Sequence, residues 1–204
     1  MRNLLILFLI VCSTAYGQTT NFRSDLKEGD LIFQRSMGPQ SMLIAAATHS
    51  DYTHCGILFF VAGQWQVLEA VEPVKYTPLD EWIKRGKDRH FVIKRLKDRD
   101  KSLTPAIITR MKQEGNTMLK KHYDLLFSWT DDKLYCSELI WKLYKHNTNL
   151  EVGTTAELKD FDLSNPAIQL EMTKRYGKNI PYHVKVISPD AIFKSPLLLQ
   201  VTSK

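Results

Sequence analysis

Cysteine is scarce here. The 204 residues hold three, Cys12, Cys55 and Cys136, too few for the dense disulfide framework that holds small secreted domains together. Long apolar runs are scarcer still: the longest, Leu4 to Val11, falls short of the roughly 18 residues that a membrane-spanning helix needs, so no transmembrane segment is expected. His49, His90, His122, His146 and His183 show no His-x-x-x-His pairing, which removes the usual helical zinc face and leaves them as ordinary surface or core residues. No basic stripe is interleaved with aromatics, so nucleic acid is not an expected partner. Internal repeats and low-complexity tracts are missing as well, and one domain is the economical reading.

What is present begins with an address. Arg2, the apolar run to Val11 and the small-residue end Ala15-Tyr16-Gly17 form a secretory signal peptide over residues 1–17, which predicts a periplasmic or extracellular protein. Lipidation at Cys12 is the weaker alternative, because Val11 stands where a small residue is usual. Residues 18–28 are polar and read as a tether, leaving 29–204 as the domain. The net charge of +6 suits anionic envelope polymers or headgroups, or equally a solvated surface with a slight basic bias.

With Cys12 removed, two thiols remain. Cys136 opens the run Cys136-Ser137-Glu138-Leu139-Ile140-Trp141-Lys142-Leu143-Tyr144, in which Leu139, Ile140, Leu143 and Tyr144 recur at helical spacing. Asp131 and Asp132 are expected to cap its first turn. A cysteine at a helix N-terminus is biased towards thiolate, the form that attacks carbonyl carbon.

A base must come from elsewhere. His54 and Cys55 enter a β-branched and aromatic strand that turns at Ala62-Gly63 into a second strand from Trp65. Alternation sends the two side chains to opposite faces, so with His54 on a cleft Cys55 is a small core residue. The same alternation disfavours a zinc site from His54, Cys55 and Cys136, and a Cys55–Cys136 disulfide. No metal or cofactor is expected. Pairing Val61 with Gln64 would put Glu69 on the face of His54; one more turn residue would present Glu72 instead, and turn chemistry leaves both registers open.

The remaining chain reads as a strand Leu31 to Gln34, a short helix Met42 to Ala47, a loop and short helix over 73–85 with Trp82 inward, and a strand within 89–96. Thr104-Pro105 starts an amphipathic helix to about Lys121. Residues 147–177 are polar and weakly periodic, with Asn165-Pro166 as a break, and are expected to be a cover, a binding edge or plain surface. Tyr182 to Ile187 reads as the last strand, and Ser188-Pro189 starts a terminal helix.

The segments Gly29-Asp30-Leu31-Ile32-Phe33-Gln34, Thr48-His49-Ser50-Asp51-Tyr52-Thr53-His54, Glu69-Ala70-Val71 and Tyr135-Cys136-Ser137-Glu138 resemble the YiiX-like permuted papain-like proteins. These are circularly permuted relatives of NlpC-type cell-wall hydrolases, with histidine preceding cysteine. The resemblance implies an α+β papain-like fold, with an antiparallel sheet packed on the cysteine helix. It implies cleavage of amides through a thioester, Cys136 being nucleophile, His54 base and Glu69 the group orienting the imidazole. Tyr123 matches a tyrosine near the oxyanion, and Asp51 and Tyr52 match rim positions near the substrate. The expected substrate is a peptide or small amino-acid amide, peptidoglycan stem peptides included. Other expectations are an acyltransferase or lipid-acyl hydrolase like lecithin:retinol acyltransferase, and a non-catalytic amino-acid- or peptide-binding protein. No apolar segment of the sequence marks the former.

Overall fold

The structure, a computed structural model, describes residues 22–204, so the signal peptide and Cys12 lie outside the described residues. Its elements are β1 (Leu31–Gln34), α1 (Pro39–Thr48), β2 (His54–Val61), β3 (Gln64–Glu69), β4 (Lys75–Pro78), α2 (Leu79–Lys84), β5 (Val92–Leu96), α3 (Arg99–Ser102), α4 (Pro105–Met118), β6 (His122–Tyr123), β7 (Lys133–Leu134), α5 (Cys136–Thr148), β8 (Ala156–Glu157), α6 (Pro166–Tyr176), β9 (Lys185–Val186), α7 (Pro189–Phe193) and β10 (Leu198–Ser203).

Six strands form one antiparallel sheet in the order β10-β5-β1-β2-β3-β4. Alternation gives it two apolar faces. Phe33, Cys55, Ile57, Phe59 and Leu68 meet Ile108 and Met111 of α4 and Leu139, Ile140 and Leu143 of α5; Ile32, Leu58, Val67 and Ile93 meet Leu79 and Trp82 of α2. Sequestering each large apolar side chain contributes roughly 1.5–3 kcal/mol, which makes these two layers the main source of rigidity under the site. Asp30, fully buried, is held at both carboxylate oxygens by Arg95 at 2.7 Å, tying the entry of β1 to β5.

Three expectations need correction. Residues 22–28 are no free tether: Leu26 is buried in the second layer, Phe22 packs on Phe91 with ring centroids 5.1 Å apart, and Lys27 pairs with Asp100. A polar composition hid two apolar anchors. Asn165-Pro166 is a helix start, since the Asn165 side chain accepts from Ala167 N at 2.9 Å and proline occupies the first turn of α6. The chain also does not finish its strands near 187. Only Lys185–Val186 is extended there, while β10 returns to cover β5, with a register shift between Gln200 and Thr202.

Candidate active site

α5 begins at Cys136 because Tyr135 is extended and Glu138, three residues on, reaches back so that its Oε2 accepts from Tyr135 N at 3.3 Å. Asp131, one of the two expected caps, does something else. Asp131 accepts from Lys142 Nζ at 2.7 Å, and Lys142 lies 2.8 Å from Glu138. Burial pushes Glu138 up to about 7 despite that cation. The first nine residues of α5 are all buried, which fixes Cys136 against the sheet.

β2 starts at His54, and Val61 pairs with Gln64, the register that sets His54 and Glu69 on one face. The imidazole Nε2 is 2.6 Å from Glu69 Oε2, and its ring is near enough to the Cys136 thiol for each to shift the charge of the other. Glu69 has no exposed surface and gathers further donors: Thr77 Oγ1 at 2.6 Å, Trp82 Nε1 at 3.0 Å and the Arg85 guanidinium. Burial opposes its charge, but His54, Arg85 and Thr77 prevail and hold it at about 2. Burial likewise opposes charge on His54, and Cys136 and Glu69 raise it to about 10. His54 and Cys136 are 6% and 2% exposed, so their interaction is little diluted by water.

Cys55 occupies an unforeseen place. Alternation does send it away from Glu69, but α5 packs on that other face, so Cys55 is buried in the same cluster as Cys136 and the two thiols influence each other's charge. Cys55, with His54, outweighs burial and holds the Cys136 thiol well below the usual range, while burial and the Cys136 charge push Cys55 well above it. Both cysteines are free thiols. Tyr123 stands beside the pair, its hydroxyl pushed up by burial and by their charge. Its backbone N–H donates to Glu72 Oε2 at 2.9 Å; thus the carboxylate of the alternative register serves the β6 segment, not His54.

Asp51 and Tyr52 stand apart from this cluster. Asp51 pairs with Arg35, Tyr52 stacks on Phe193 with centroids 3.8 Å apart, and both line a polar concavity with Lys87, Asp88 and Asp190. The cavity that reaches Cys136 is a different one, about 740 Å³ counting its open mouth, between α1, α6 and the 123–137 segment. Trp82, Thr77 and Arg85 around Glu69 were legible only as parts of a loop and short helix, Trp82 inward, and Cys55 only as core.

A family profile described as permuted papain-like amidase, YaeF/YiiX, C92 family, matches residues 25–202. The chain belongs to this family of permuted papain-like amidases. It is 42% identical over 205 residues to the YiiX protein of Escherichia coli K12, covering all of this chain and 97% of that one. The crystal structure of YiiX from Escherichia coli O157:H7, 44% identical, superposes with a TM-score of 0.81 over 87% of this chain and 97% of that one. The protein is therefore a papain-like cysteine hydrolase on an α+β permuted papain-like fold. The solved relative is described as a metalloprotein. Among the described residues here, no three His, Cys, Asp or Glu side chains are grouped to hold a metal ion, and His54 and Cys136 are engaged with each other and with Glu69 and Cys55.

Proposed function

We propose that the protein hydrolyses an amide bond in amino-acid-containing envelope material through a thioester on Cys136. His54 is the general base and acid, and Glu69 holds the imidazole in place and favours its charged form. The observation that carries this reading is the place of His54, bonded at 2.6 Å to a fully buried Glu69 while its charge and that of Cys136 favour each other. A thiolate–imidazolium pair is the resting form of such a nucleophile.

Thiolate attack on the carbonyl carbon opens the C=O bond to an oxyanion. The Cys136 N–H at the start of α5 and the hydroxyl of Tyr123, which lines the same cavity as Cys136, are the donors assigned to it. His54 then gives its proton to the departing amine as the C–N bond breaks. Water attacks the thioester with His54 taking its proton, the C–S bond breaks, and the carboxylic acid leaves. Export rests on residues 1–17 and places this reaction outside the cytoplasm.

The test is hydrolysis of N-acyl amino acids by the purified mature protein, with intact-protein mass spectrometry of the acyl adduct. Turnover and a Cys136 adduct in the wild type, both lost in Cys136→Ala, are the expected result. Binding of the same compounds without turnover or adduct would replace the amidase by an amino-acid-binding protein.

A further inference from the structure

Glu69 has no exposed surface, and a buried carboxylate without a counter-charge takes up a proton instead of staying ionised. Among the described residues two cations pair with it: His54 at Oε2, 2.6 Å away, and Arg85 at Oε1. They differ in one respect. The charge of His54 comes and goes during the reaction, while a guanidinium keeps its proton throughout.

The end of α2 delivers Arg85 to this place. Trp82 and Arg85 are three residues apart, so they share one side of the helix end, and they divide the carboxylate between them: Trp82 Nε1 donates to Oε2 at 3.0 Å and the Arg85 guanidinium to Oε1. Arg85 N donates to the Trp82 carbonyl at 3.2 Å, and the next residue, Gly86, bridges to Ser36 beyond β1. A Cβ on Gly86 would lie 2.3 Å from Oε1 of Gln34, the residue paired with His54 across β1 and β2. The backbone that carries Arg85 is therefore pinned to the strand beside the imidazole. The Arg85 side chain is itself 42% exposed, so it can be exchanged without opening the core.

When His54 gives its proton to the leaving amine, Glu69 loses one of its two counter-charges. Neutral His54 must then keep its remaining proton on Nε2, facing Glu69, so that Nδ1 has a lone pair for the water that cleaves the thioester. A proton taken up by Glu69 at this stage would be donated towards Nε2 and would leave the imidazole proton on Nδ1, the wrong nitrogen. Resting on the amidase reading, we propose that Arg85 is a positioning residue for the second half of the reaction: it keeps Glu69 ionised in the acyl-enzyme and so holds the tautomer of His54 that can take a proton from water. The first half does not depend on it, because in the resting enzyme the imidazolium itself accompanies Glu69.

The experiment uses p-nitrophenyl acetate as the probe. Release of p-nitrophenolate reads acylation of Cys136, and decay of the acetyl adduct by intact-protein mass spectrometry reads hydrolysis of the thioester, each followed across pH. Arg85→Gln keeps an N–H donor without the charge, and Arg85→Lys keeps the charge; Arg85→Met replaces Arg85→Gln should that variant not fold. Arg85→Gln is expected to accumulate the acetyl-enzyme, its decay slowed about 10-fold or more near neutral pH, with about tenfold less base for each unit by which the acid limb moves up. Acylation and haloacetamide labelling are expected to stay within about threefold of the wild type, and Arg85→Lys to restore most of the decay rate. Unchanged decay in Arg85→Gln, equal slowing of both half-reactions, or a slowed decay that Arg85→Lys does not restore overturns the inference. Charge-dependent decay in a wild type that does not hydrolyse N-acetylglycine supports the role of Arg85 and overturns the amidase reading; absence of any acetyl adduct on wild-type Cys136 overturns both.

Discussion

At the scale of single residues, Glu69 is the best-held charge in the site. Four donors converge on two oxygens, so its carboxylate stays ionised and its geometry is fixed by β4 and α2 as well as β3. Glu69→Gln keeps the shape but presents an N–H to donors that need an acceptor, and misorients the imidazole. Loss of a comparable orienting acid costs about 10⁴ in kcat in serine proteases, and a fall of roughly 10²-fold or more is expected here, measured as kcat on an N-acyl amino acid. Unchanged kcat would remove Glu69 from the machinery. From turn chemistry alone Glu69 and His54 were partners under only one of two registers, because the turn Ala62-Gly63 permits either count; the family resemblance chose between them. The neighbourhood of Cys55 was harder to foresee: alternation gives the face of a side chain, but not which face a helix from 80 residues later will cover.

At the scale of elements, the site depends on how closely β2 and β3 approach. A Cβ on Gly56 would lie 2.2 Å from Val67 Cγ1 and 3.1 Å from the Leu68 carbonyl, between the two residues that matter, His54 and Glu69. Gly56→Ala must push the strands apart, and overpacking of this kind typically costs about 1–3 kcal/mol. A lowered Tm together with a raised KM or lowered kcat is expected; normal activity at lowered Tm would mean that the strands transmit nothing to the site. Helices with an apolar period and a cap, α4 and α5, were readable from the sequence. α6 was not read as a helix, although Asn165-Pro166 carries the same start signal as Thr104-Pro105. Its apolar period is weak, because Ile168 and Met172 are its only buried residues.

For the whole molecule, the sheet and its cysteine helix were legible because both layers follow simple periodicities. The edge strand β10 and the packed segment 22–28 were not, because their contacts are long-range. The cavity at Cys136 belongs with these: residues 43, 127, 163 and 172 come from four separate stretches, so no run of sequence displays it. The charge layout makes a global prediction about pH. Glu69 titrates at about 2 in the folded state against an ordinary 4.5, so its contribution is present above about 4.5 and is lost as pH falls through about 2. That contribution is on the order of 3 kcal/mol. Glu138, raised to about 7, works in the opposite sense, its share fading as pH rises from about 4.5 to 7, but it is common to wild type and Glu69→Gln. The stability difference between those two, from urea unfolding, is expected to shrink from pH 5 to pH 2; a difference independent of pH would mean that Glu69 is not a charged anchor.

The most direct test of the central claim is the pH dependence of Cys136 alkylation by a small haloacetamide, in a Cys55→Ser background and with His54→Ala beside it. A thiolate paired with imidazolium is expected to label rapidly well below the free-thiol value of about 8.5, and His54→Ala is expected to push the titration back towards that value. Labelling that titrates as an ordinary thiol, with or without His54, would contradict the pair and with it the nucleophile.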